Sequence, residues 1–292
     1  MGKDILCYLN LSYNSISGFE MLPWKNIQIL DLHSNLLQGP LPNPPNSTFF
    51  FSVSHNKLSG EISSLICKAS SMGILDLSNN NLSGMLPHCL GNFSKDFFVL
   101  NLRRNQFYGT IPQTFLKGNS IRSLDLNDNQ LEGLIPRSLI ICRKLEVLDF
   151  GNNKISNTFP HWLETLPKLQ VLVLHSNSFH GQIGFSKIKS PFMSLRIIDL
   201  AYNDFEGDLP KMYLKSLKVT MNVDEGNMTG KYIGGYYYQD SVMVTIKGLE
   251  IEFVKILNTF TIIDLSSNKF QGEIPKSIGN LNLIISRAQF VS

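Results

Sequence analysis

Charged residues are scarce in this sequence of 292 residues. Asp, Glu, Lys and Arg make up 17% of it, below the roughly 25% that is usual for soluble globular chains. Lys and Arg number 26 against 23 Asp and Glu, and a net charge of +3 is too small to indicate a nucleic-acid partner. The apolar fraction of 43% excludes intrinsic disorder, because such a chain can bury enough surface to fold.

Long apolar runs and a leader segment are missing as well. No apolar run reaches the roughly 18 residues that a transmembrane helix needs. Met1 leads directly into patterned sequence, so no secretory signal is visible. The four cysteines are too few for a small disulfide-rich scaffold, and none stands in a Cys-x-x-Cys zinc spacing. We therefore predict no membrane-spanning segment in this chain and no metal or other cofactor.

Leucine and asparagine are present in excess, with 41 and 27 residues. Both recur in one motif, apolar-x-apolar-x-x-Asn, as in Leu30–Asn35 and Leu124–Asn129. Two positions after the Asn there is an apolar residue. Four positions after it there is a Gly, except in one repeat, which has Asn157. An apolar-Pro pair often follows. A fixed period of this kind is typical of stacked repeats. The motif asparagines are Asn14, Asn35, Asn56, Asn80, Asn105, Asn129, Asn153, Asn177, Asn203 and Asn268.

Each position of the motif has a physical role. The alternation places two apolar side chains on one face of a short strand. A buried Asn satisfies backbone groups where the chain leaves the strand, so stacked copies predict a ladder of hydrogen bonds. The Gly position indicates a turn with positive φ or close packing, a role for which Asn157 is the next best residue. Proline fixes φ and suits the start of a short outer segment.

Stacking is required because one repeat cannot bury its apolar face alone. We predict an α/β leucine-rich-repeat solenoid, a right-handed horseshoe with short parallel strands on the concave face and 3₁₀ or irregular outer segments. Nine repeats occupy residues 1–210 and a further repeat occupies residues 259–283. Residues 284–292 diverge from the pattern.

The motif is interrupted once, because Asn203 and Asn268 are 65 residues apart. We assign residues 211–258 to a non-repeat island inserted in the solenoid. Apolar and polar residues alternate in 242–246 and again in 249–253, on either side of Lys247 and Gly248, which predicts a hairpin. The island also carries three consecutive tyrosines that either bind a ligand or pack the island onto the solenoid, namely Tyr236, Tyr237 and Tyr238.

The 24-residue repeat with Gly-x-Ile-Pro after the Asn, as in Phe107–Pro112, resembles the plant extracellular subclass of leucine-rich-repeat proteins. That subclass includes receptor kinases, receptor-like proteins and secreted polygalacturonase inhibitors. Residues 238–250, 254–257 and 274–281 resemble, more specifically, the disease-resistance receptor-like proteins of the Cf and Verticillium-resistance kind. The resemblance extends from Leu9 to about Leu283.

This resemblance implies a receptor ectodomain on the extracellular side of the plasma membrane, anchored by one transmembrane helix and lacking a kinase. It implies a peptide or protein ligand from the apoplast, and defence signalling through co-receptor and adaptor receptor kinases. It also implies that the island folds against the concave side. The N-terminal cap, the anchor and the last repeats of the family have no counterpart in this sequence, so we interpret the chain as a truncated, partial ectodomain.

Candidate ligand contacts come from positions that depart from the repeat. Asp recurs between the motif leucines in six copies, and this repetition favours a structural role where the strand meets the turn. The next two positions are mostly Ser or Asn, and adjacent repeats lie roughly 5 Å apart, so charged departures there would be neighbours. Arg and Tyr are favoured binding anchors, although a solvated charge patch is the alternative. The candidates are Arg103, Arg104, Asp128, His175 and Tyr202, with His33 and His55 as further departures.

The cysteines and glycosylation motifs give further expectations. Cys142 takes an inward position and is predicted to be a buried thiol, and Cys7 has no assigned partner. Cys67 and Cys89 lie on outer segments of successive repeats and are candidates for a disulfide in an oxidising compartment, if their Cα spacing allows it. The candidate N-glycosylation sites are Asn10, Asn46, Asn81, Asn92 and Asn227, although a glycan on Asn10 would lie on the concave face.

No histidine stands in a metal-binding or nucleophile-base arrangement, which argues against a hydrolase. We predict a binding scaffold that is not an enzyme. Two alternatives stay open: a secreted inhibitor of cell-wall polygalacturonase, against which the island argues, and a non-functional truncated product.

Overall fold

The computed structural model describes residues 5–18, 22, 24–93, 95–186, 188–214, 232–235, 238–246, 249–258 and 260–276. The chain divides into two compact units, Met1–Cys142 and Arg143–Ser292.

Two kinds of short strand alternate along the first unit. Its strands are β1 (Tyr8–Asn10), β2 (Ile29–Asp31), β3 (Gln38–Gly39), β4 (Phe50–Ser52), β5 (Lys57–Glu61), β6 (Ile74–Asp76), β7 (Asn81–Met85), β8 (Val99–Asn101), β9 (Gln106–Thr110), β10 (Ser123–Asp125) and β11 (Gln130–Gly133). The three-residue main strands follow the order β1-β2-β4-β6-β8-β10, and the others follow the order β3-β5-β7-β9-β11. Neighbouring strands in each sheet are parallel, as the solenoid prediction requires.

Equivalent motif positions pair in register along the main strands. Leu75 in β6 lies opposite Leu100 in β8, and Leu100 lies opposite Leu124 in β10. These central side chains are buried in the core. The first and third residues of each main strand point the other way because side chains alternate along a strand. We call the side to which they point the strand face.

Three of the described outer segments of the first unit are short 3₁₀ helices, and others, such as residues 111–122, are irregular. The helices are η1 (Ser64–Lys68), η2 (His88–Asn92) and η3 (Arg137–Ile141). Pro87 and Pro136 take the N-cap positions of η2 and η3, where a missing N–H costs nothing. Ile66, Leu90 and Leu139 turn inward from these helices and are buried, so the helices close the core opposite the main strands.

The second unit repeats this plan and adds antiparallel pairs. Its strands are β12 (Val147–Asp149), β13 (Lys154–Ile155), β14 (Val171–Val173), β15 (His180–Gln182), β16 (Ile197–Asp199), β17 (Asp204–Asp208), β18 (Gly234–Gly235), β19 (Tyr238–Gln239), β20 (Val242–Ile246), β21 (Leu249–Phe253), β22 (Ile262–Asp264) and β23 (Lys269–Gln271). It also contains the 3₁₀ helix η4 (His161–Thr165) and one helical turn at 211–214.

The main strands of the second unit follow the order β12-β14-β16-β22, and a second parallel sheet follows the order β15-β17-β23. Ile198 of β16 pairs directly with Ile263 of β22, so the repeat resumes beside the turn that it left. Between these strands, β18 pairs antiparallel with β19 and β20 pairs antiparallel with β21. The turn residues Lys247 and Gly248 lie outside the described residues. The predicted leucine-rich-repeat solenoid is confirmed within each unit.

The turn after eight of the ten motif asparagines uses glycine in the left-handed region, as at Gly84 with φ +87°. The prediction that Asn157 takes this conformation is wrong, since Asn157 is absent from the non-glycine residues with positive φ in the described ranges. Its carbonyl instead accepts a hydrogen bond from the His180 amide at 3.0 Å, and Thr158 forms a parallel bridge with His180. Strand pairing therefore replaces the glycine turn in this repeat.

Candidate ligand-binding surface

The motif asparagines connect successive turns through their side-chain amides. In Asn105, Oδ1 accepts a hydrogen bond from the amide of Leu82 at 3.0 Å, while Nδ2 donates to the carbonyl oxygens of Leu77 at 3.0 Å and Leu102 at 3.1 Å. One side chain thus satisfies backbone groups in its own turn and in the preceding one. The asparagines that bond in this way are Asn35, Asn56, Asn80, Asn105, Asn129, Asn177, Asn203 and Asn268.

For the other two motif asparagines, Asn14 and Asn153, the following hydrogen bonds lie within their own turn. Asn14 donates to the carbonyl oxygens of Leu11 and Ser12, both at 3.1 Å. Asn153 donates to the carbonyl oxygens of Phe150 and Gly151.

In the six main strands that end in Asp, the carboxylate caps the turn that follows. Asp125 Oδ1 accepts a hydrogen bond from the amide of Asn127 at 3.0 Å, and Asp76 Oδ1 does the same for Ser78. Asn101 plays the equivalent part for Arg103, which shows that a neutral amide fits this position. The predicted structural role of the Asp positions is therefore confirmed.

The residue before each ladder Asn has a left-handed backbone, a feature that the sequence analysis missed. Its φ lies between 49° and 55° in every repeat. Asn and Asp tolerate this region, but bulky side chains there are strained. The residues at this position are Tyr13, Ser34, His55, Asn79, Arg104, Asp128, Asn152, Ser176, Tyr202 and Ser267.

Two of the candidate contacts lie together in the first unit. Arg104 Nε lies 3.8 Å from Asp128 Oδ2; Arg104 is half-buried and Asp128 is exposed. This contact agrees with the expected proximity of neighbouring repeats. Both residues project from the left-handed position beside the strand face.

The expectation that Arg103 and His175 are exposed is wrong. Arg103 is only 5% exposed and His175 only 1%. Both stand one position before the left-handed residue of their turn. Ser78 and Asn127 occupy the same position in other turns and are buried as well. Turns roughly 5 Å apart cover this position from both sides.

Aromatic side chains near the strand face differ in their surroundings. Tyr202 is exposed. Tyr13 is exposed and packs edge-on against the ring of His33 at 4.6 Å between centroids. The Nδ1 atom of His33 lies 2.7 Å from Asp31 Oδ1, so this histidine is tied to the main strand β2.

The described residues of the island's second half lie on the strand face of the second unit. Ile233, Val242, Val244 and Ile256 from the island form one buried apolar cluster with five residues of the main strands. Phe253 and Phe260 pack against this cluster. The main-strand members are Val147, Val171, Val173, Ile197 and Ile262.

The three consecutive tyrosines are only partly placed. Tyr238 lies in β19, where it pairs with Gly235 and is half-buried. Tyr236 and Tyr237 lie outside the described residues.

A buried polar network holds the start of the island, and sequence reasoning missed it. Glu164 of η4 is buried and accepts hydrogen bonds from the hydroxyl groups of Tyr213 and Ser186. His161 Nδ1 lies 2.9 Å from Glu164 Oε1. Burial, the hydrogen bond to Glu164 and the charge of Glu164 all raise the pKa of Tyr213 above its ordinary value, so its hydroxyl stays a donor.

The cysteines fall in three environments. Cys67 and Cys89 form a disulfide that joins η1 to η2, with Cα atoms 6.1 Å apart. Cys142 is the buried thiol that its position predicts, and burial raises its pKa to about 11 despite a hydrogen bond from Asn119. Cys7 is exposed.

The glycosylation motifs also differ in accessibility. Asn46 and Asn81 are exposed. Asn10 Oδ1 accepts hydrogen bonds from the amide and hydroxyl of Ser12, so this motif is folded on itself beside β1. The motif of Asn92 includes Ser94, which, like Asn227, lies outside the described residues.

Among the described residues there is no group of three or more His, Cys, Asp or Glu arranged to hold a metal ion. Within that same part of the chain, no helix has the length and apolar character needed to cross a membrane.

Comparison with known proteins identifies the relatives of this chain. A family profile described as Leucine Rich Repeat matches residues 72–93, 120–140, 144–166 and 259–281. Receptor-like protein 35 of Arabidopsis thaliana is 44% identical over 283 residues, which cover 96% of this chain and 28% of the relative. Receptor-like protein 33 of the same plant is 45% identical over 94% of this chain and 29% of its own length. The chain belongs to the plant leucine-rich-repeat receptor-like proteins.

The chain spans less than a third of the length of these two receptor-like proteins. Solved structures show the same fold. A plant peptide hormone receptor, RGFR1 in complex with RGF2, aligns with a TM-score of 0.73 and 28% identity over 95% of this chain and 38% of that one. The ectodomain of the Arabidopsis receptor kinase HAESA, in complex with an IDA peptide hormone, aligns with a TM-score of 0.64 and 25% identity over 98% of this chain and 46% of that one.

Proposed function

We propose that this chain is the ligand-recognition part of the ectodomain of a plant receptor-like protein, and that it is not an enzyme. The observation that carries the proposal is, within each unit, a row of parallel main strands with side chains at left-handed positions beside it and, in the second unit, described island residues packed against it. Rigid scaffolds that position variable side chains and insertions are suited to binding. The peptide-bound RGFR1 and HAESA structures support a peptide as the class of ligand.

Arg104 and Asp128 are the proposed contacts in the first unit. Asp128 is exposed, Arg104 is half-buried, and the two lie close enough to present one combined polar surface. Arg104 is bulky for a residue with φ +52°, and such strain persists where the side chain has a use. Arg103 supports this surface from beneath, as a buried residue of the same turn.

In the second unit the proposed contacts are Tyr202 and the island tyrosines. Tyr202 also combines positive φ, an exposed ring and a position beside the strand face. Tyr236, Tyr237 and Tyr238 belong to the island, whose second half covers part of that face. His175 is buried there and so takes the role of a supporting residue.

The whole receptor would act at the extracellular side of the plasma membrane. Its ligand would come from the apoplast, and signalling in defence would pass through co-receptor and adaptor receptor kinases. A structure of HAESA with its peptide and the co-receptor SERK1 supports this type of assembly. N-glycans would be carried at the exposed residues Asn46 and Asn81.

The test is a binding screen with the purified chain immobilised and apoplastic peptide fractions passed over it. Arg104→Asn is the informative variant, because Asn79 and Asn152 already occupy the same left-handed position in other turns. We expect the variant to lose binding by about tenfold or more while its free energy of unfolding stays equal or rises. Arg137→Asn removes the same charge from an exposed residue of η3 and serves as the matched control.

Unchanged binding by Arg104→Asn, or an equal loss in Arg137→Asn, would remove Arg104 from the site. Failure of every peptide fraction to bind the wild-type chain, with the island folded, would count against the recognition function itself.

A further inference from the structure

Two buried carboxylates lie side by side in the second unit. Asp199 of β16 and Asp264 of β22 are opposite each other in the strand register, and they are 0% and 1% exposed. One oxygen of each is used for the turn, because Asp199 Oδ1 accepts from the amide of Ala201 at 3.1 Å and Asp264 Oδ1 accepts from that of Ser266 at 2.9 Å. The Oδ2 atoms of both are buried and have no hydrogen-bond partner among the described residues.

The surroundings of this pair are apolar and include the island. Val173 lies opposite Asp199 on its other side, and Ile197 precedes it on the same face of β16. Ile262 holds the equivalent position on β22. All three belong to the buried cluster that the island completes with Ile233, Val242, Val244 and Ile256. The island therefore packs against the strand residues that flank the two carboxylates.

Ionising both carboxylates in this setting is costly. Neighbouring strands lie about 4.8 Å apart, so two negative charges would face each other without solvent between them. The pKa of Asp199 is raised to about 7, and burial is the largest cause of this rise. His175 and the hydrogen bond from the Ala201 amide oppose the rise, and the charges of Asp264 and Asp149 contribute to it.

The described island also carries charged groups near the apolar cluster that it forms with the main strands. Asp240 is buried just before β20, Glu252 is half-buried in β21, and Lys255 is exposed with its Nζ 5.6 Å from the ring centroid of Tyr232. The charges that shift Asp199 belong to the main strands and to His175.

We propose that the island is a proton-controlled cover of the strand face: it stays docked while Asp199 is protonated, and it loosens when Asp199 becomes ionised beside Asp264. This inference goes beyond ligand recognition and requires no ligand. Its consequence is that proton concentration sets how much of the strand face in the second unit is open to a partner.

The direction of the pH effect follows from proton linkage. If detachment of the island lets water reach Asp199, the pKa of Asp199 falls towards the ordinary 3.8, whereas it is about 7 in the docked form. The docked form therefore binds more protons across this interval, so docking is strongest at the acidic end and weakens as pH rises to about 7. Above that pH the effect levels off.

Hydrogen exchange of the full chain, without ligand, measures the docking. Protection factors of the backbone amides of Val242, Val244 and Ile251, corrected for intrinsic exchange, would be compared at about pH 5 and about pH 8.5. We expect protection to fall by about tenfold or more at the higher pH. His175→Gln should move the midpoint of this loss to higher pH, since it removes the opposing charge.

Asp199→Asn and Asp264→Asn are the decisive variants, since Asn101 already fills the equivalent position of β8 and caps its turn. Each should keep the island protected at both pH values. Asp125→Asn changes the same position of β10 in the first unit and should retain the wild-type pH dependence. Wild-type protection that is equal at both pH values, or a pH-dependent loss that survives in Asp199→Asn and Asp264→Asn, would overturn the proposal.

Discussion

A ladder asparagine stabilises the fold through backbone groups that nothing else in its turn can reach. Oδ1 of Asn105 accepts from the amide of Leu82, which belongs to the preceding repeat. Its Nδ2 group serves carbonyl oxygens in both turns. These backbone groups lie away from water. Removing the side chain therefore lowers the free energy of unfolding mainly because buried N–H and C=O groups lose their partners, and only slightly through the few atoms removed.

We therefore expect Asn105→Ala to lower the free energy of unfolding by about 3 kcal/mol, since it leaves several buried backbone groups unpaired. Urea denaturation followed by circular dichroism measures this change. Asn43→Ala is the control, because Asn43 is exposed and lies outside the motif, and it should change stability by less than about 0.5 kcal/mol. Equal effects of the two substitutions would show that the ladder does not carry the stability assigned to it.

The two free cysteines should differ sharply in reactivity. Burial raises the pKa of Cys142 to about 11, so at about pH 8.5 fewer than about one in a hundred of its side chains is a thiolate, and that thiolate is shielded. Cys7 is exposed. Mass spectrometry after brief iodoacetamide treatment should find Cys7 modified in the folded chain and Cys142 modified only in denaturant. Equal labelling of both in the folded chain would contradict the buried position of Cys142.

At the scale of elements, the root of the island is fixed by the contact of the helical turn at 211–214 with η4. Tyr213 is buried there, and its hydroxyl donates to Glu164. Aromatic packing adds to this contact, because the ring centroids of Phe159 and Phe192 lie 5.4 Å and 5.3 Å from that of Tyr213, in tilted and edge-on arrangements. The hydrogen bond keeps a buried carboxylate satisfied, and the rings supply the packing.

Tyr213→Phe separates these two contributions, because it retains the ring and deletes the donor. We expect it to cost about 1–3 kcal/mol, the penalty for leaving a buried charged acceptor short of a partner. Amide exchange in residues 211–214 should rise more than exchange in the main strands. Tyr108→Phe removes an exposed hydroxyl and is the matched control. A loss of stability no larger than that of the control would mean that the rings alone hold the root.

For the molecule as a whole, the repeat was predictable from sequence because its signals are local and recur. Leu75, Leu100 and Leu124 pair in register because the spacing of the motif places them so. The pairing of β20 with β21 likewise follows from alternation over a few residues. Such patterns depend on periodicity, which one sequence displays directly.

The parts that sequence analysis missed depend on contacts between distant residues. Tyr213 and Glu164 are 49 residues apart and carry no shared motif. His175 is buried because it stands one position before the left-handed residue, and its residue type does not reveal this. The left-handed position before each ladder Asn is occupied by residues as different as Ser34 and Tyr202, so residue type alone does not reveal it.

Solubility of the chain should depend on where its exposed apolar side chains lie. Tyr8 is 60% exposed on β1, whose described pairing is with β2 alone, so apolar surface and unpaired strand groups coincide there. Phe185 is 85% exposed but lies in a segment outside the strands. We expect Tyr8→Lys to raise the protein concentration at which light scattering first detects aggregates by about twofold or more, because it places a charge on an open strand edge. Phe185→Lys adds the same charge and should change this concentration much less, and equal gains would show that net charge, and not the strand edge, limits solubility.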